Sequence, residues 1–332
     1  MNHPARPLLC TAFLISALVG SLDAQRTTLR ERMRERREGR SRASASTNVD
    51  IEVQGTTRHY LLHLPAEPDG ALVLAFHGGG ETPGQQEEMS GFDALADHEH
   101  FIVAYPEGIG KSWNDGRGTT TAAKQGVDDV GFAKAIVADI AKAHTIDRAR
   151  VFATGPSNGG IFVNRLGCDA ADTFIAIAPV IGTIATALAP NCHPSAPIAV
   201  VGIQGVADPV VPFGGGAVGG TLEGAAAVGD VQGSRATQEL WRTLNGCASS
   251  VTATSLPVVV RDGTTVDTRA FGGCRANADV VWYEIQGGGH RWPPHHADGI
   301  VEHIAERKLG VSSRNINASD VIWAFFAAHP RR

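Results

Sequence analysis

The chain has 332 residues, of which 43% are hydrophobic and 19% charged, and its formal net charge is −5. This composition is typical of a globular protein and excludes a disordered chain or a bundle of membrane spans. The acidic balance argues against a nucleic-acid partner, because such proteins need clustered cations to displace counterions from phosphates. Glycine is over-represented, with 39 residues, and since these glycines have no fixed period we expect them in turns and loops.

The first 24 residues have the pattern of a secretory signal peptide. Arg6 precedes an apolar run of twelve residues, Leu8 to Val19, and Ala24 ends a short segment after it. Twelve apolar residues are too few to cross a bilayer, so we predict cleavage and export, with no membrane-spanning segment in the mature protein. The protein is therefore expected to be secreted, either outside the cell or into the periplasm.

Residues 25–48 form a basic segment, in which eight arginines and three glutamates give a net charge of +5. The segment has few core-forming side chains, so we predict a solvated, disordered linker. Adhesion to an anionic wall or membrane surface is the functional alternative. Residues 1–24 sum to zero, so residues 49–332, the predicted globular domain, carry −10.

Four cysteines follow the predicted signal: Cys168, Cys192, Cys247 and Cys274. In an exported protein an even number indicates disulfides, and four cysteines allow three connectivities. The simplest of these joins sequence neighbours, Cys168 to Cys192 and Cys247 to Cys274. None of the four has the close spacing of zinc ligands, and no metal or other cofactor is expected.

From residue 49 onward the chain alternates between apolar runs and helix-like stretches. Residues 51–53 and 59–64 have the pattern of an antiparallel pair. Five continuously apolar runs then predict strands that are buried on both faces of a parallel sheet: 71–76, 101–105, 150–154, 198–203 and 280–285.

Helices are predicted between and after these strands. The clearest are residues 129–144, residues 158–166, and a last helix that Asn317 or Ser319 caps and that runs through Phe326. Alternating strands and helices predict an α/β fold with a doubly wound, mostly parallel sheet and antiparallel N-terminal strands. Residues 206–279 are less regular, and we expect them to form insertions around the top of the sheet.

Chemically suggestive motifs follow the predicted strands, at the sheet edge where open α/β sheets hold their sites. Gly155-Pro-Ser157-Asn-Gly159 lies between a strand and a helix, which is the setting of a nucleophile elbow. A serine nucleophile needs a base, and the base needs a third group to orient it. Ser157, Asp208 and His290 occur in the chain order of an α/β-hydrolase triad and are the predicted catalytic residues.

A His77-Gly78-Gly79-Gly80 sequence follows the first of the five runs. Unobstructed backbone amides are the groups that stabilise a developing oxyanion. We therefore predict an oxyanion hole formed by Gly78 or Gly79 together with the amide of Asn158. The alternative for the three glycines is a plain flexible loop, and His77 is expected to brace that loop rather than to act as an acid or base.

Motifs spread along the chain carry a family resemblance. They are Phe76-His-Gly-Gly-Gly80, Tyr105-Pro-Glu-Gly108, Ser112-Trp-Asn-Asp115, Val127-Asp-Asp-Val-Gly-Phe132, Gly155-x-Ser-Asn-Gly-Gly160, Ala178-Pro-Val180, Asp208-Pro-Val-Val-Pro-Phe-Gly-Gly215 and Gly288-Gly-His-Arg-Trp-Pro293. Over about residues 50–328 the sequence resembles the polyhydroxybutyrate depolymerase and feruloyl esterase family of secreted α/β-hydrolases. The resemblance implies that residues 49–332 are a catalytic domain that hydrolyses esters with Ser157, Asp208 and His290.

Two residues depart from the family pattern. Pro156 stands where a larger residue with an N–H is usual, but proline only fixes φ and removes one donor, so we expect the elbow to form. Arg291 replaces the more usual threonine and lies close enough to His290 to affect substrate preference.

Trp113 and Trp292 are predicted to line the substrate pocket, with a core position as the alternative for each.

The expected substrate is a feruloyl or acetyl ester of plant polysaccharide oligomers, because family members act on such esters or on hydroxyalkanoate polyesters. A depolymerase of polyhydroxybutyrate oligomers is the first alternative, and an exported serine peptidase or a non-catalytic binding protein are the others. The chain ends at Arg332, soon after the last predicted helix, so we expect no appended polymer-binding module. A monomer acting on soluble oligomers is the resulting prediction.

Overall fold

A computed structural model describes residues 46–219, 228–295 and 299–331. The predicted signal peptide and nearly all of the predicted basic linker lie outside these residues. The linker was predicted to end at residue 48, but the first strand, β1, already begins at Thr47. The reason is backbone pairing, since the ladder with the next strand extends to a Thr47–Leu62 pair.

The predicted N-terminal antiparallel pair is confirmed. It consists of β1 (Thr47–Val53) and β2 (Thr56–His63). Gln54 and Gly55 close the hairpin, and both have positive φ, 51° and 77°. Two successive positive φ angles are those of the tight turn that suits the twist of paired strands.

The remaining strands are β3 (Leu72–Ala75), β4 (Ile102–Pro106), β5 (Val151–Pro156), β6 (Ala176–Val180), β7 (Ala199–Gly205), β8 (Gly215–Ala217), β9 (Asp230–Gln232), β10 (Thr252–Ser255), β11 (Thr265–Phe271) and β12 (Val280–Gln286). The α-helices are α1 (Pro83–Ser90), α2 (Phe92–Glu99), α3 (Thr121–Lys124), α4 (Asp129–Ala143), α5 (Ser157–Asp169), α6 (Ser234–Leu244), α7 (Gly299–Leu309) and α8 (Ala318–Ala328). None of the helices in the described parts of the chain is long and apolar enough to cross a membrane.

Within the described residues, ten strands form one mixed sheet in the order β1-β2-β4-β3-β5-β6-β7-β12-β11-β10. The six central strands, from β4 to β12, are parallel. The five predicted apolar strands are all among them. The sixth, β6, was missed because its alanine-rich sequence, Ala-Ile-Ala-Pro-Val, lacks the β-branched density that marked the others.

Helices cover both faces of the sheet, as the prediction of a doubly wound fold requires. On one face the buried core includes Phe132 of α4, Phe162 of α5 and Trp241 of α6. On the other it includes Phe92 of α2 and Phe326 of α8. Five of the six central strands, β3 to β7, are therefore buried throughout, whereas β12 also has half-buried residues.

Residues 206–279 were predicted to form insertions around the top of the sheet, but part of this segment belongs to the sheet itself. β11 pairs antiparallel with β12, and β10 pairs antiparallel with β11. These two strands extend the sheet at the edge opposite to β1. Their side chains are mostly exposed or half-buried, so they lack the continuous apolar run by which the central strands were recognised.

Two disulfides join sequence neighbours. Cys168 at the end of α5 is bonded to Cys192, and Cys247 after α6 is bonded to Cys274 after β11. This is the connectivity that the sequence favoured. Each bond closes a local loop, with sequence separations of 24 and 27 residues, and so limits the freedom of the unfolded chain.

Candidate active site

The predicted functional residues lie at one edge of the sheet. Ser157 follows β5, Asp208 follows β7 and His290 follows β12. These strands run parallel within the continuous order β5-β6-β7-β12, so their carboxyl ends point to the same side. The glycine loop after β3 joins this group, because β3 pairs with β5.

Ser157 occupies a sharp turn from strand to helix. Its φ is +53°, a value that a residue with a Cβ adopts only where the surrounding structure enforces it. Pro156 before it is extended, with φ −90° and ψ 158°, so the proline is compatible with the elbow. A Cβ on Gly155 or on Gly159 would collide with the carbonyl oxygen of Phe76, which explains why the turn requires glycine at both positions.

Asp208 and His290 form a hydrogen-bonded pair. His290 Nδ1 lies 2.8 Å from Asp208 Oδ2, and the Asp208 side chain is completely buried. The other carboxylate oxygen accepts the backbone N–H groups of Val210 and Val211, each over 2.8 Å. Because an ionised carboxylate only accepts, His290 donates through Nδ1, which leaves Nε2 with a lone pair that can take a proton.

Backbone contacts fix the loop that carries His290. The His290 N–H donates to the Leu309 carbonyl at the end of α7, over 2.5 Å, and the Gly289 N–H donates to the Val311 carbonyl. The neighbouring Arg291 pairs with Glu302 of α7 over 3.0 Å and is largely buried. Arg291 therefore braces the loop of His290 from the side of α7.

His77 braces the glycine loop, as expected from the sequence. Its Nδ1 donates to the Gly78 carbonyl over 2.7 Å, and its Nε2 accepts the Gly108 N–H over 3.0 Å. Burial lowers the pKa of His77 from 6.5 to about 4, which is consistent with a neutral ring that donates at one nitrogen and accepts at the other. The imidazole therefore acts as a rigid spacer between two backbone segments.

The predicted oxyanion hole needs one correction. The Gly78 N–H donates to the carboxylate of Glu81 over 2.8 Å, so it is already engaged and is not the donor for an oxyanion. Gly79 lies beside Asn158, since a Cβ placed on Gly79 would be 3.5 Å from the Asn158 Cβ. The Asn158 amide belongs to the first turn of α5, where backbone N–H groups have no partner within the helix.

The side chain of Asn158 is held at both ends by the loop after β4. Its Oδ1 accepts the Trp113 N–H over 2.8 Å, and its Nδ2 donates to Asp115 Oδ2 over 2.6 Å. Asp115 is buried and also accepts two hydrogen bonds from the Arg117 guanidinium, over 2.9 and 2.6 Å. Asp115 belongs to the motif Ser112-Trp-Asn-Asp115, but the motif alone does not predict this contact.

Trp113 and Trp292 do not line a pocket, contrary to the prediction. Trp113 is 0% exposed and Trp292 is 2% exposed. The Trp113 indole donates to the His77 carbonyl, and that of Trp292 donates to the Ser319 hydroxyl. Both rings also pack against phenylalanine rings of the core. They therefore connect the loops that carry the proposed site to the core.

The described residues 46–219, 228–295 and 299–331 contain no group of three or more His, Cys, Asp or Glu side chains that could hold a metal ion. Asp128 and Asp129, at the start of α4, are structural. Asp128 caps the helix by accepting the Gly131 N–H, and Asp129 is buried against the Arg58 guanidinium over 2.9 Å.

Fold and site together define an α/β-hydrolase in which a serine elbow and a histidine–aspartate pair lie at one edge of the sheet. A comparison with protein-family models finds no match. The "Putative esterase NocK" of Nocardia uniformis subsp. tsuyamanensis is 31% identical over 267 residues, which are 77% of each chain. The chain belongs to the polyhydroxybutyrate depolymerase and feruloyl esterase family of α/β-hydrolases.

Two further proteins are similar to the chain, one in sequence and one in fold. Feruloyl esterase B of Piromyces equi is 28% identical over 225 residues, which are 66% of this chain and 39% of that protein. The structure of an acetyl xylan esterase from Aspergillus awamori superposes with a TM-score of 0.54 and 16% identity, over 76% of this chain and 96% of that one. This structural likeness supports the α/β-hydrolase fold.

Proposed function

We propose that this protein is a serine carboxylic-ester hydrolase that removes feruloyl or acetyl groups from plant polysaccharide oligomers. The observation that carries the proposal is the 2.8 Å contact between His290 Nδ1 and the buried Asp208. It leaves His290 Nε2 ready to accept a proton at the sheet edge where the elbow presents Ser157. The family, which includes proteins named as esterases, feruloyl esterases and acetylxylan esterases, supports the ester as substrate.

The reaction proceeds in two acyl transfers. His290 Nε2 takes the proton of Ser157 as the serine oxygen attacks the ester carbonyl, and the carbonyl electron pair moves onto the oxygen. The amides of Gly79 and Asn158 stabilise that oxyanion. When the carbonyl re-forms, the alcohol leaves with the proton from His290, and water then repeats the sequence on the acyl-enzyme.

The substrate is tested by a parallel assay of the protein on methyl ferulate, acetylated xylan oligomers and a hydroxybutyrate trimer, with Ser157→Ala as the control. We expect ferulate or acetate release that the control lacks. Hydrolysis of the trimer alone would replace the proposal by a polyester depolymerase. Cleavage of a peptide substrate included in the same assay, without any ester hydrolysis, would replace it by a peptidase.

We also propose that the protein is exported. The two disulfides support this location, because such bonds persist in oxidising compartments. Expression of the full chain in a host with a secretory pathway tests it. The expected product begins at Gln25, and retention of residues 1–24 on a cell-associated protein would contradict it.

A further inference from the structure

Glu81 places a carboxylate directly on the oxyanion loop. Its side chain folds back so that Oε2 accepts the Gly78 N–H over 2.8 Å. The turn is closed by the Glu81 N–H, which donates to the Gly78 carbonyl over 3.2 Å. The carboxylate is thus bound to the residue that precedes Gly79, and the amide of Gly79 is the one proposed to stabilise the oxyanion.

Opposing effects act on the ionisation of this carboxylate. Burial raises the pKa of Glu81, whereas the hydrogen bond from the Gly78 N–H and, to a smaller extent, a positive charge on His290 lower it. In the described parts of the chain no lysine or arginine forms an ion pair with Glu81. When Glu81 is ionised, its negative charge therefore lies beside the Gly78 N–H without an ion pair to a cation among these described residues.

An ester that reacts with Ser157 must place its carbonyl between His290 and the amides of Gly79 and Asn158. A substrate group attached near that carbonyl then lies close to Glu81. A carboxylate on the substrate would meet a like charge in a partly buried site, where such repulsion is stronger than in water. A neutral group of the same shape would not be repelled.

Building on the proposed esterase function, we propose that Glu81 is a specificity-determining residue that excludes esters bearing a negative charge next to the scissile bond. The substrate class is accordingly that of neutral acyl esters of hydroxylated compounds, such as acetylated or feruloylated sugars. Short hydroxyalkanoate oligomers that end in a free carboxylate are disfavoured.

The test compares two substrates of nearly identical shape that both release acetate, 3-acetoxybutanoate and 3-acetoxybutanamide. The quantity measured is the ratio of kcat/KM for the anion to kcat/KM for the amide. Glu81→Gln removes the charge but keeps an oxygen that can accept the Gly78 N–H. We expect this variant to raise the ratio on the order of tenfold.

Two matched variants separate charge from structure. Glu88→Gln removes an exposed carboxylate of α1 and is expected to leave the ratio within about twofold of the wild type. Glu81→Asp keeps the charge and is expected to retain the wild-type preference for the amide over the anion. If Glu81→Gln changes both substrates by the same factor, Glu81 only supports the loop and the specificity role is wrong.

The outcome also distinguishes this inference from the proposed function. Acetate release from the amide by the wild type but not by Ser157→Ala supports the esterase function by itself, so an unchanged ratio would contradict only the role of Glu81. Absence of acetate release from both substrates by the wild type would contradict both proposals.

Discussion

The side-chain amide of Asn158 donates to the buried carboxylate of Asp115 over 2.6 Å, across 43 residues of sequence. Asn158 directly follows the proposed nucleophile and supplies a proposed oxyanion amide. The contact thus ties the first turn of α5 to the loop after β4. Because Arg117 in turn donates to Asp115, an ion pair anchors the proposed oxyanion hole.

Replacement of Asn158 by Asp would place two buried carboxylates in contact, which disfavours the observed geometry. We expect kcat for p-nitrophenyl acetate to fall about 100-fold with KM changed by less than about threefold, because the amide acts mainly on the transition state. Adding Asp115→Asn to this variant restores a donor–acceptor pair and should recover at least about tenfold in kcat. A double variant no better than Asn158→Asp would contradict the positioning role.

Replacement of Asp208 by Asn would remove the acceptor that holds His290 in its proposed tautomer. We expect kcat to fall on the order of 10⁴-fold while the protein remains folded. Steady-state kinetics with p-nitrophenyl acetate, accompanied by thermal unfolding, measure the two effects separately. A folded Asp208→Asn variant with near wild-type kcat would show that another group orients the base.

His77 should make stability depend on pH. Burial lowers its folded-state pKa to about 4, below the ordinary value of 6.5, so the unfolded chain binds the proton more readily. The contribution is fully present above about pH 6.5 and is lost as the pH falls toward 4, amounting to about 3 kcal/mol. Urea unfolding of the wild type should show this loss.

The matched comparison for this prediction is His77→Gln, which removes the titrating group, against His193→Gln, which changes an exposed histidine. We expect His77→Gln to flatten the dependence of the unfolding free energy between pH 6.5 and 4. His193→Gln should leave the dependence as in the wild type. Equal slopes in all three proteins would contradict a buried neutral His77.

The Cys168–Cys192 disulfide should contribute to stability through the loop that it closes, which spans 24 residues. Replacing both cysteines by serine is expected to reduce the unfolding free energy by about 3 kcal/mol. Dithiothreitol should lower the melting temperature of the wild type more than that of this variant. A double variant as stable as the wild type would show that the disulfide does not contribute to the unfolding free energy.

The residues that sequence motifs could locate share one property. Ser157, Asp208 and His290 each follow an apolar strand, and the parallel sheet places such residues at one edge. Local patterns therefore predicted five of the six central strands and placed the proposed triad at that edge. The bounds of α4 and the cap at Asn317 were also close to the prediction, because capping is a local interaction.

Features that depend on tertiary packing could not be predicted in this way. Whether an aromatic residue near a catalytic motif faces a pocket or the core depends on distant elements, as with Trp292 packed against Phe92. The fold-back of Glu81 onto Gly78 depends on the geometry of the loop. Neither the identity nor the spacing of these residues carries that information.

The central claim is that Ser157 is the nucleophile of an esterase, and labelling with a fluorophosphonate probe tests it most directly. We predict one covalent adduct per chain, located on the peptide that contains Ser157, with a parallel loss of ester hydrolysis. Ser157→Ala should remain unlabelled and lose on the order of 10⁵-fold in kcat. Labelling at another residue, or a Ser157→Ala variant that retains wild-type hydrolysis, would contradict the account.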